Sequence, residues 1–222
     1  MVGTRVMINI LYEDNHLLVV EKPINIPVQE DSSKDKDFLT ILKEYIKNKY
    51  KKPGNVYLGL VHRLDRPVGG VMVFAKTSKC ASRLNEQIRV GNFKKIYYAV
   101  VEGNIFENGL LKDKLLKDTK ANMVYVDNKG KDSKLYFEKV ACIDNLSLVK
   151  IELHTGRSHQ IRVQFSSRGY PLYGDHRYNK NCNDKSQIAL FAQELSFYHP
   201  ITKEKVTYSL NLPDRYPFTL FK

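Results

Sequence analysis

The stretch Val61-His62-Arg63-Leu64-Asp65-Arg66-Pro67-Val68-Gly69-Gly70-Val71 sets one carboxylate among basic side chains, between two apolar runs. The apolar runs, residues 56–61 and 71–75, are typical of buried strands, and Gly69-Gly70 is typical of a tight turn. The charged residues therefore fall in a connection between strands. Connections carry function more often than cores do.

Outward from this stretch, the patterns predict many strands and three helices. A helix begins after Asp37 as N-cap and ends at Pro53-Gly54, a second is capped by Ser78 and ends at Gly91, and a third covers residues 158–168. Further strands are predicted at 17–20, 94–102, 123–126, 135–143, 146–154, 188–198 and 206–212. Because several strands follow one another directly, we expect an α+β fold with a mainly antiparallel mixed sheet, as one domain over residues 1–222.

Composition indicates a globular protein with a polyanionic partner. Of its 222 residues 42% are hydrophobic, and Lys and Arg exceed Asp and Glu by 36 to 24, for a net charge of +12 and a pI near 9.4. The partner could be RNA, DNA or phospholipid, or the lysines could simply form a solvated surface, as in Lys47 to Lys52. Neither a membrane helix nor a signal peptide at Met1 to Ile10 is recognised, so we expect a cytoplasmic protein that does not bind membranes.

Signatures of cofactor and metal enzymes are missing from the sequence. It contains no phosphate-binding loop ending in Gly-Lys-Ser/Thr, no HExxH and no GxSxG, and its six histidines form no ligand pairs. Cys80, Cys142 and Cys182 lie too far apart for a disulfide framework or a zinc site, and we expect them to be buried and reduced. We therefore expect no metal and no cofactor, which disfavours a metal-dependent nuclease.

Asp65 stands between Arg63 and Arg66, and these cations favour its ionised form. An ionised carboxylate can act as a nucleophile or as a base. Read by itself, Asp65 fits a structural residue that caps the following turn or pairs with a surface arginine better than a catalytic one.

Two later segments concentrate polar residues in the same way. His154-Thr155-Gly156-Arg157-Ser158-His159-Gln160-Ile161-Arg162-Val163 offers backbone and side-chain donors to an anion at a helix start, although an ordinary polar first turn would look similar. Arg162 is flanked by apolar residues and, if buried, needs a carboxylate partner, for which Asp65 is available. In Lys95-Ile96-Tyr97-Tyr98-Ala99-Val100-Val101, alternation puts Tyr97 and Tyr98 on opposite faces of a strand, so that one is core and the other could stack on a nucleobase.

Taken in order, these segments resemble the RluA-like family of pseudouridine synthases. The likeness covers nearly the whole chain. It also includes Ile10-Leu11-Tyr12-Glu13-Asp14, Leu18-Val19-Val20-Glu21-Lys22-Pro23, Ala75-Lys76-Thr77, Gly103 and Gly174-Asp175. Several matches in the right order are far more specific than any single one.

The resemblance implies a pseudouridine synthase fold with an RNA-binding cleft, and an enzyme that isomerises uridine in ribosomal or transfer RNA. It makes Asp65 the essential aspartate, Tyr97 the active-site tyrosine and Arg162 the basic residue that pairs with Asp65. Arg63 matches the arginine that presses into the RNA as the target nucleotide leaves the stack. The residues expected to bind substrate RNA are His62, Arg63, Arg66, Arg157, His159 and Gln160.

The chain departs from the family pattern at two places. Val68-Gly69-Gly70 replaces the usual Thr, Ser or Thr, Gly, and Asn25 stands where glycine is usual, although Asn tolerates left-handed backbone. Only a short segment precedes Ile10, so we expect no S4-type domain and a monomer that binds RNA through its catalytic domain. The alternative is a basic RNA-binding module without catalysis, for which Val68-Gly69-Gly70 is the only support.

Overall fold

The computed structural model describes residues 7–182 and 186–222, and the chain forms two compact units. The first unit consists of Met1–Phe93 and Leu195–Leu210, and the second of Lys94–Glu194 and Asn211–Lys222. Strands with a defined register pair antiparallel, and several follow one another without an intervening helix. The α+β class with a mainly antiparallel sheet is confirmed, whereas the single domain over 1–222 stays a prediction.

The first unit contains a sheet with a helix on each face. Its elements are β1 (Asn9–Glu13), β2 (Leu17–Lys22), α1 (Phe38–Lys49), β3 (Gly59–Leu60), β4 (Gly69–Ala75), α2 (Ser78–Val90), the end of β10 (Leu190–Tyr198) and β11 (Lys205–Ser209). The strand order is β1-β2-β4-β10, with β3 against β4 and β11 against β10. Phe74 contacts Phe38 of α1, and Val73 packs with Leu84 of α2. Because both faces are covered, the central strands are continuously apolar.

Side-chain caps set the start of both helices in the first unit. The Asp37 carboxylate accepts a hydrogen bond from the Thr40 amide (3.0 Å), as predicted. At α2 the predicted cap, Ser78, is wrong by one residue, because the Thr77 hydroxyl accepts from the Cys80 amide (3.2 Å) and Ser78 is already helical. Gly91 ends α2 in the left-handed region at φ 83°, as the sequence predicts.

The predicted strand at 56–61 is wrong at its start, since only Gly59–Leu60 pair with β4, at Ala75 and Phe74. The remainder of that edge of β4 pairs with β10. Gly69-Gly70 is also not a tight turn but the beginning of β4, paired with Lys22. A Cβ on Gly69 would lie 3.1 Å from the Lys22 carbonyl oxygen, a tight contact that glycine avoids.

The second unit contains a sheet of long strands covered by one short helix. Its elements are β5 (Lys94–Glu102), β6 (Asn108–Asp118), β7 (Met123–Val126), β8 (Lys131–Ile143), β9 (Leu146–Leu153), α3 (Gln160–Ser166), the beginning of β10 and a 3₁₀ helix (Phe218–Phe221). The strand order is β10-β5-β9-β8-β6-β7. Phe137 of β8 packs edge-on against Phe165 of α3, with ring centroids 5.2 Å apart, so the core lies between sheet and helix.

The sequence predictions for this unit succeed for β5, β7, β8, β9 and β10 to within a few residues, and β11 of the first unit is confirmed with similar accuracy. β1 and β6 were not predicted. β6 (Asn108–Asp118) is rich in lysine and aspartate, and only Leu111 and Leu115 are buried, so its alternation is weak. The helix predicted at 158–168 is shorter, Gln160–Ser166, because His159 has left-handed backbone at φ 51°.

The cysteines do not share one environment. Cys80 is buried as predicted, but the prediction is wrong for Cys142, which is exposed, and for Cys182, which is half-buried; all three are free thiols. Cys142 lies near the end of the twisted strand β8, where the sheet is open to solvent. Within 7–182 and 186–222, no helix has the length and apolar character to cross a membrane.

Candidate active site

Asp65 occupies the first position of a tight turn between β3 and β4. The Val68 amide donates to the Asp65 carbonyl oxygen at 2.9 Å, which closes the turn around Arg66 and Pro67. Leu64 and Val68 are buried on either side, at 7% and 2% exposure, whereas Asp65 itself is half-buried. Apolar anchors thus hold the turn, and the carboxylate is left within reach of solvent.

Lys22 is a fully buried cation beneath this turn. Its ammonium donates to the carbonyl oxygens of Pro23 (2.9 Å), Arg66 (3.1 Å) and Val68 (2.8 Å). Burial lowers the pKa of Lys22 to about 7. The positive charge of Arg66 lowers this pKa further, whereas the negative charge of Asp65 raises it. The sequence patterns gave Lys22 no role, although a lysine two residues after the apolar run Leu17–Val20 was a usable signal.

The other polar residues of the segment differ in exposure. The His62 Nε2 accepts from the Val73 amide (3.2 Å), and its ring lies 5.6 Å from that of Phe93. Arg63 is exposed to solvent. Arg66 forms surface ion pairs with Asp31 (3.7 Å) and Asp35. Arg63 is therefore more open to solvent than Arg66, the other guanidinium of this segment.

In the second unit, Tyr97 points into a largely buried environment on β5. It is 6% exposed and pairs with Ile151 of β9, whereas Tyr98 is half-buried opposite Lys150. Lys95, two residues before Tyr97 and on the same face, is 8% exposed, and burial lowers its pKa. A Cβ on Gly156 would lie 3.5 Å from the Lys95 ammonium, so this cation stands beside the loop before α3.

Arg162 is buried at 4% exposure and has a carboxylate partner, as its apolar neighbours predict. That partner is Asp175, which was not foreseen: the arginine Nε and Nη2 donate to its two oxygens at 2.9 and 2.7 Å. Asp175 is fully buried and also accepts from the Arg177 and Tyr178 amides. The Tyr178 ring lies 5.2 Å from the guanidinium carbon. Pairing of Arg162 with Asp65 stays a prediction.

The loop before α3 is tied together by Gln160. Its side-chain oxygen accepts from the Thr155 hydroxyl (2.8 Å) and the Arg157 amide (3.1 Å), and its amide donates to Lys134 and Gln164. His159 Nδ1 shares a hydrogen bond of 2.8 Å with the Tyr178 hydroxyl. Arg157 is exposed, with Nε donating to the Asp132 carbonyl (2.9 Å). Gln160 thus shapes the loop that presents Arg157.

Each unit supplies groups suited to general acid–base or nucleophilic chemistry. The first presents a carboxylate in a fixed turn, and the second a buried tyrosine and a rigidly held guanidinium. Among the described residues, no group of three or more His, Cys, Asp or Glu side chains could hold a metal ion.

The sequence from His16 to Ser167 matches the protein family described as RNA pseudouridylate synthase, a region that includes Asp65, Tyr97 and Arg162. The chain belongs to this family. The expected enzyme class, an isomerase that makes pseudouridine in RNA, is thereby confirmed at the level of the family.

Individual relatives of this synthase chain agree with the family assignment. It is 35% identical over 217 residues to ribosomal large subunit pseudouridine synthase C of Buchnera aphidicola subsp. Acyrthosiphon pisum, covering 92% of this chain and 67% of the relative. It is 30% identical over 220 residues to ribosomal large subunit pseudouridine synthase D of Zymomonas mobilis, covering 93% and 69%. The chain thus spans about two thirds of the length of these relatives.

The fold of this synthase has counterparts among solved structures. Human RNA pseudouridylate synthase domain containing 4 superposes with a TM-score of 0.78 at 20% identity, covering 93% of this chain and 89% of that one. Human RNA pseudouridylate synthase domain containing 1 gives 0.77 at 22% identity, covering 98% and 88%. At such low identity the likeness establishes the fold alone, and it confirms the expected pseudouridine synthase fold.

Proposed function

We propose that this chain converts specific uridines of large-subunit ribosomal RNA to pseudouridine, with Asp65 as the essential carboxylate. The observation that carries the proposal is the family match over residues 16–167, which spans the Asp65 turn, the Tyr97 strand and the Arg162 helix. The names of the relatives favour ribosomal over transfer RNA. A net charge of +12 suits a polyanionic substrate.

The proposed reaction moves the base without a net gain or loss of atoms. The C1′–N1 bond of uridine breaks, the base rotates, C1′ bonds to C5, the C5 proton leaves and N1 gains a proton. Asp65 would either attack the sugar at C1′ or remove the 2′ proton. Tyr97 would stack on the base and assist removal of the C5 proton, and Arg162 would keep Asp65 ionised and oriented. No metal or cofactor takes part.

The target nucleotide must leave its stack before it can react, which costs a few kcal/mol. Arg63 and Arg157, both exposed, are the side chains proposed to meet the RNA first. Arg66 would exchange its surface ion pairs for phosphate contacts. The remaining proposed RNA-binding residues would contribute through the loops they shape: His62, His159 and Gln160.

The proposal places a monomeric enzyme in the cytoplasm, where ribosomal RNA is found. The competing reading is a basic RNA-binding module without catalysis. It differs in one measurable respect, because a pure binding protein would leave every uridine of a bound RNA unchanged.

The test is Asp65→Asn, which keeps the shape of the side chain and removes its charge. We expect pseudouridine formation on a large-subunit ribosomal RNA transcript to fall about a thousandfold or more, while the Kd for the RNA changes little. Asp214→Asn is the matched control, because Asp214 is 89% exposed and forms a surface ion pair with Lys222. Normal turnover by Asp65→Asn would overturn the assignment, and RNA binding without turnover by the unaltered protein would favour the binding module.

A further inference from the structure

Three lysine ammonium groups lie close to one exposed tyrosine at the end of α1, in the first unit, and two further lysines, Lys47 and Lys51, are near it in the chain. Lys52 is drawn back towards the helix, because its amide donates to the Lys47 carbonyl at 3.0 Å and Lys51 turns the chain with φ 48°. We call this group the Tyr50 patch; it consists of Tyr50, Lys47, Lys49, Lys51, Lys52 and Lys76.

Three of these lysines place their ammonium groups close to the ring of Tyr50. The ammonium groups of Lys76, Lys49 and Lys52 lie 4.7, 5.4 and 6.0 Å from its centroid. Cations at this range are attracted by the negative face of an aromatic ring. Tyr50 is itself 45% exposed, so its ring lies at the protein surface beside these ammonium groups.

One carboxylate, that of Glu13, faces this set of lysines. It accepts from Lys49 (2.7 Å), Lys76 (3.0 Å) and the hydroxyl of Tyr50 (2.7 Å). Burial opposes its ionisation, but these bonds and one from Tyr45 lower the pKa of Glu13 to about 2, so it stays charged. In the part of the chain that the structure describes, Lys47, Lys51 and Lys52 form no ion pair. A clear excess of positive charge remains at the surface.

Helix stabilisation explains only part of this excess. Lys47 and Lys49 lie in the last turn of α1, where cations interact favourably with the helix dipole. Lys51 and Lys52 follow the helix, and Lys76 follows β4. Holding uncompensated ammonium groups together costs repulsion, which a polyanion would relieve.

We propose that the Tyr50 patch binds the phosphate backbone of the substrate RNA, outside the residues assigned to catalysis. The inference rests on the proposed function, because that function makes a long polyanion the substrate. Lysine ammonium groups are point charges without the planar fork that reads base edges, so contacts here are independent of RNA sequence. Their contribution is to affinity and to salt dependence.

The test compares two double variants in the first unit. Lys51→Gln with Lys52→Gln removes two charges from the patch, and Lys203→Gln with Lys205→Gln removes two exposed charges at the start of β11. Binding to a large-subunit ribosomal RNA transcript is measured by filter retention from 50 to 300 mM KCl. Loss of two phosphate contacts should reduce the slope of log Kd against log salt by about 1.5 and weaken binding roughly tenfold at low salt. The control pair should change neither.

Pseudouridine yield at saturating RNA separates this inference from the proposed function. We expect the patch variant to keep its kcat while its Kd rises. If the unaltered protein forms no pseudouridine, the proposed function fails, yet the salt slopes still test the patch. An unchanged slope in the patch variant, with or without turnover, would overturn the inference. So would loss of binding to phosphatidylglycerol vesicles with RNA binding intact, because the surface would then serve a membrane.

Discussion

Asp65 in the first unit and Arg162 in the second are both held by a buried charged neighbour, but in different ways. For Asp65 it is the backbone that is held, because the Lys22 ammonium donates hydrogen bonds to two carbonyl oxygens of the Asp65 turn. Asp65 itself stays half-buried. For Arg162 the side chain itself is fixed, between the carboxylate of Asp175 and the ring of Tyr178.

Because they are held differently, the two arrangements are disrupted by different changes. Carbonyl oxygens are neutral, so the buried charge of Lys22 is only partly compensated and its pKa falls to about 7. The Asp175 carboxylate and the Arg162 guanidinium compensate each other, so this ion pair is vulnerable to the loss of either member. The Asp65 turn should therefore respond to pH through Lys22, and the Arg162 ion pair to mutation.

Asp175→Asn should have the largest effect, because it leaves the guanidinium of Arg162 buried beside a neutral amide. Breaking a buried ion pair costs about 3–5 kcal/mol, and we expect a loss of this size in the free energy of unfolding, measured with urea. Asp113→Asn is the matched control in the same unit. Its partner Arg168 is 30% exposed, so the loss should be about 1 kcal/mol. Equal losses in the two variants would show that burial does not distinguish the pairs.

Tyr97→Phe should come next, with an effect on catalysis and little on stability. The ring still packs on β5 and can stack on the base, but the hydroxyl is gone, and turnover should fall about a hundredfold. Tyr98→Phe is the control from the opposite face of the same strand and should leave kcat nearly unchanged. Similar losses from both would mean that the buried tyrosine is not the one that carries the chemistry.

The sequence predicted this contrast in part. It placed Asp65 in a connection between strands, and the Ile161-Arg162-Val163 pattern correctly required a buried carboxylate partner for Arg162. It could not identify Asp175, because the two are joined by tertiary packing rather than by a periodic pattern. It missed β6 because a strand with four lysine and aspartate side chains on its exposed positions gives a weak apolar alternation.

Glycine at positions 69 and 70 shows a different limit. Two adjacent glycines are typical of a turn, yet here they begin β4, where Gly70 pairs with Lys22 and a Cβ on Gly69 would make a tight contact with the Lys22 carbonyl oxygen. The left-handed backbone of Asn25, at φ 62°, could in contrast be predicted from the sequence, because Asn tolerates that conformation where the family has glycine. Local conformational preference is visible in a sequence, whereas a close approach between distant segments is not.

Lys22 gives the first unit a pH dependence of its stability. Its folded-state pKa, about 7, lies below its usual value of 10.5, so between these values the unfolded chain binds the extra proton. Stability should therefore rise with pH across this window, by about 1.4 kcal/mol per unit from this residue. The measurement is the free energy of unfolding from pH 7 to 9.5 in the unaltered protein and in Lys22→Met. The difference in the free energy of unfolding between the two proteins should grow with pH. A constant difference would contradict the pH dependence assigned to Lys22.

The smallest effect concerns the helix caps, which also differ between the units. α2 in the first unit is capped by the Thr77 hydroxyl, whereas α3 in the second has no side-chain cap. Before α3, the Gln160 side chain accepts from the Arg157 amide, and the His159 ring shares a hydrogen bond with the Tyr178 hydroxyl. Thr77→Ala should lower the free energy of unfolding by about 1 kcal/mol, because the Cys80 amide loses its acceptor. Ser78→Ala, one residue into the helix, should change it by less than about 0.5 kcal/mol. A larger loss in the free energy of unfolding from Ser78→Ala would show that Ser78 caps the helix, as the sequence alone suggested.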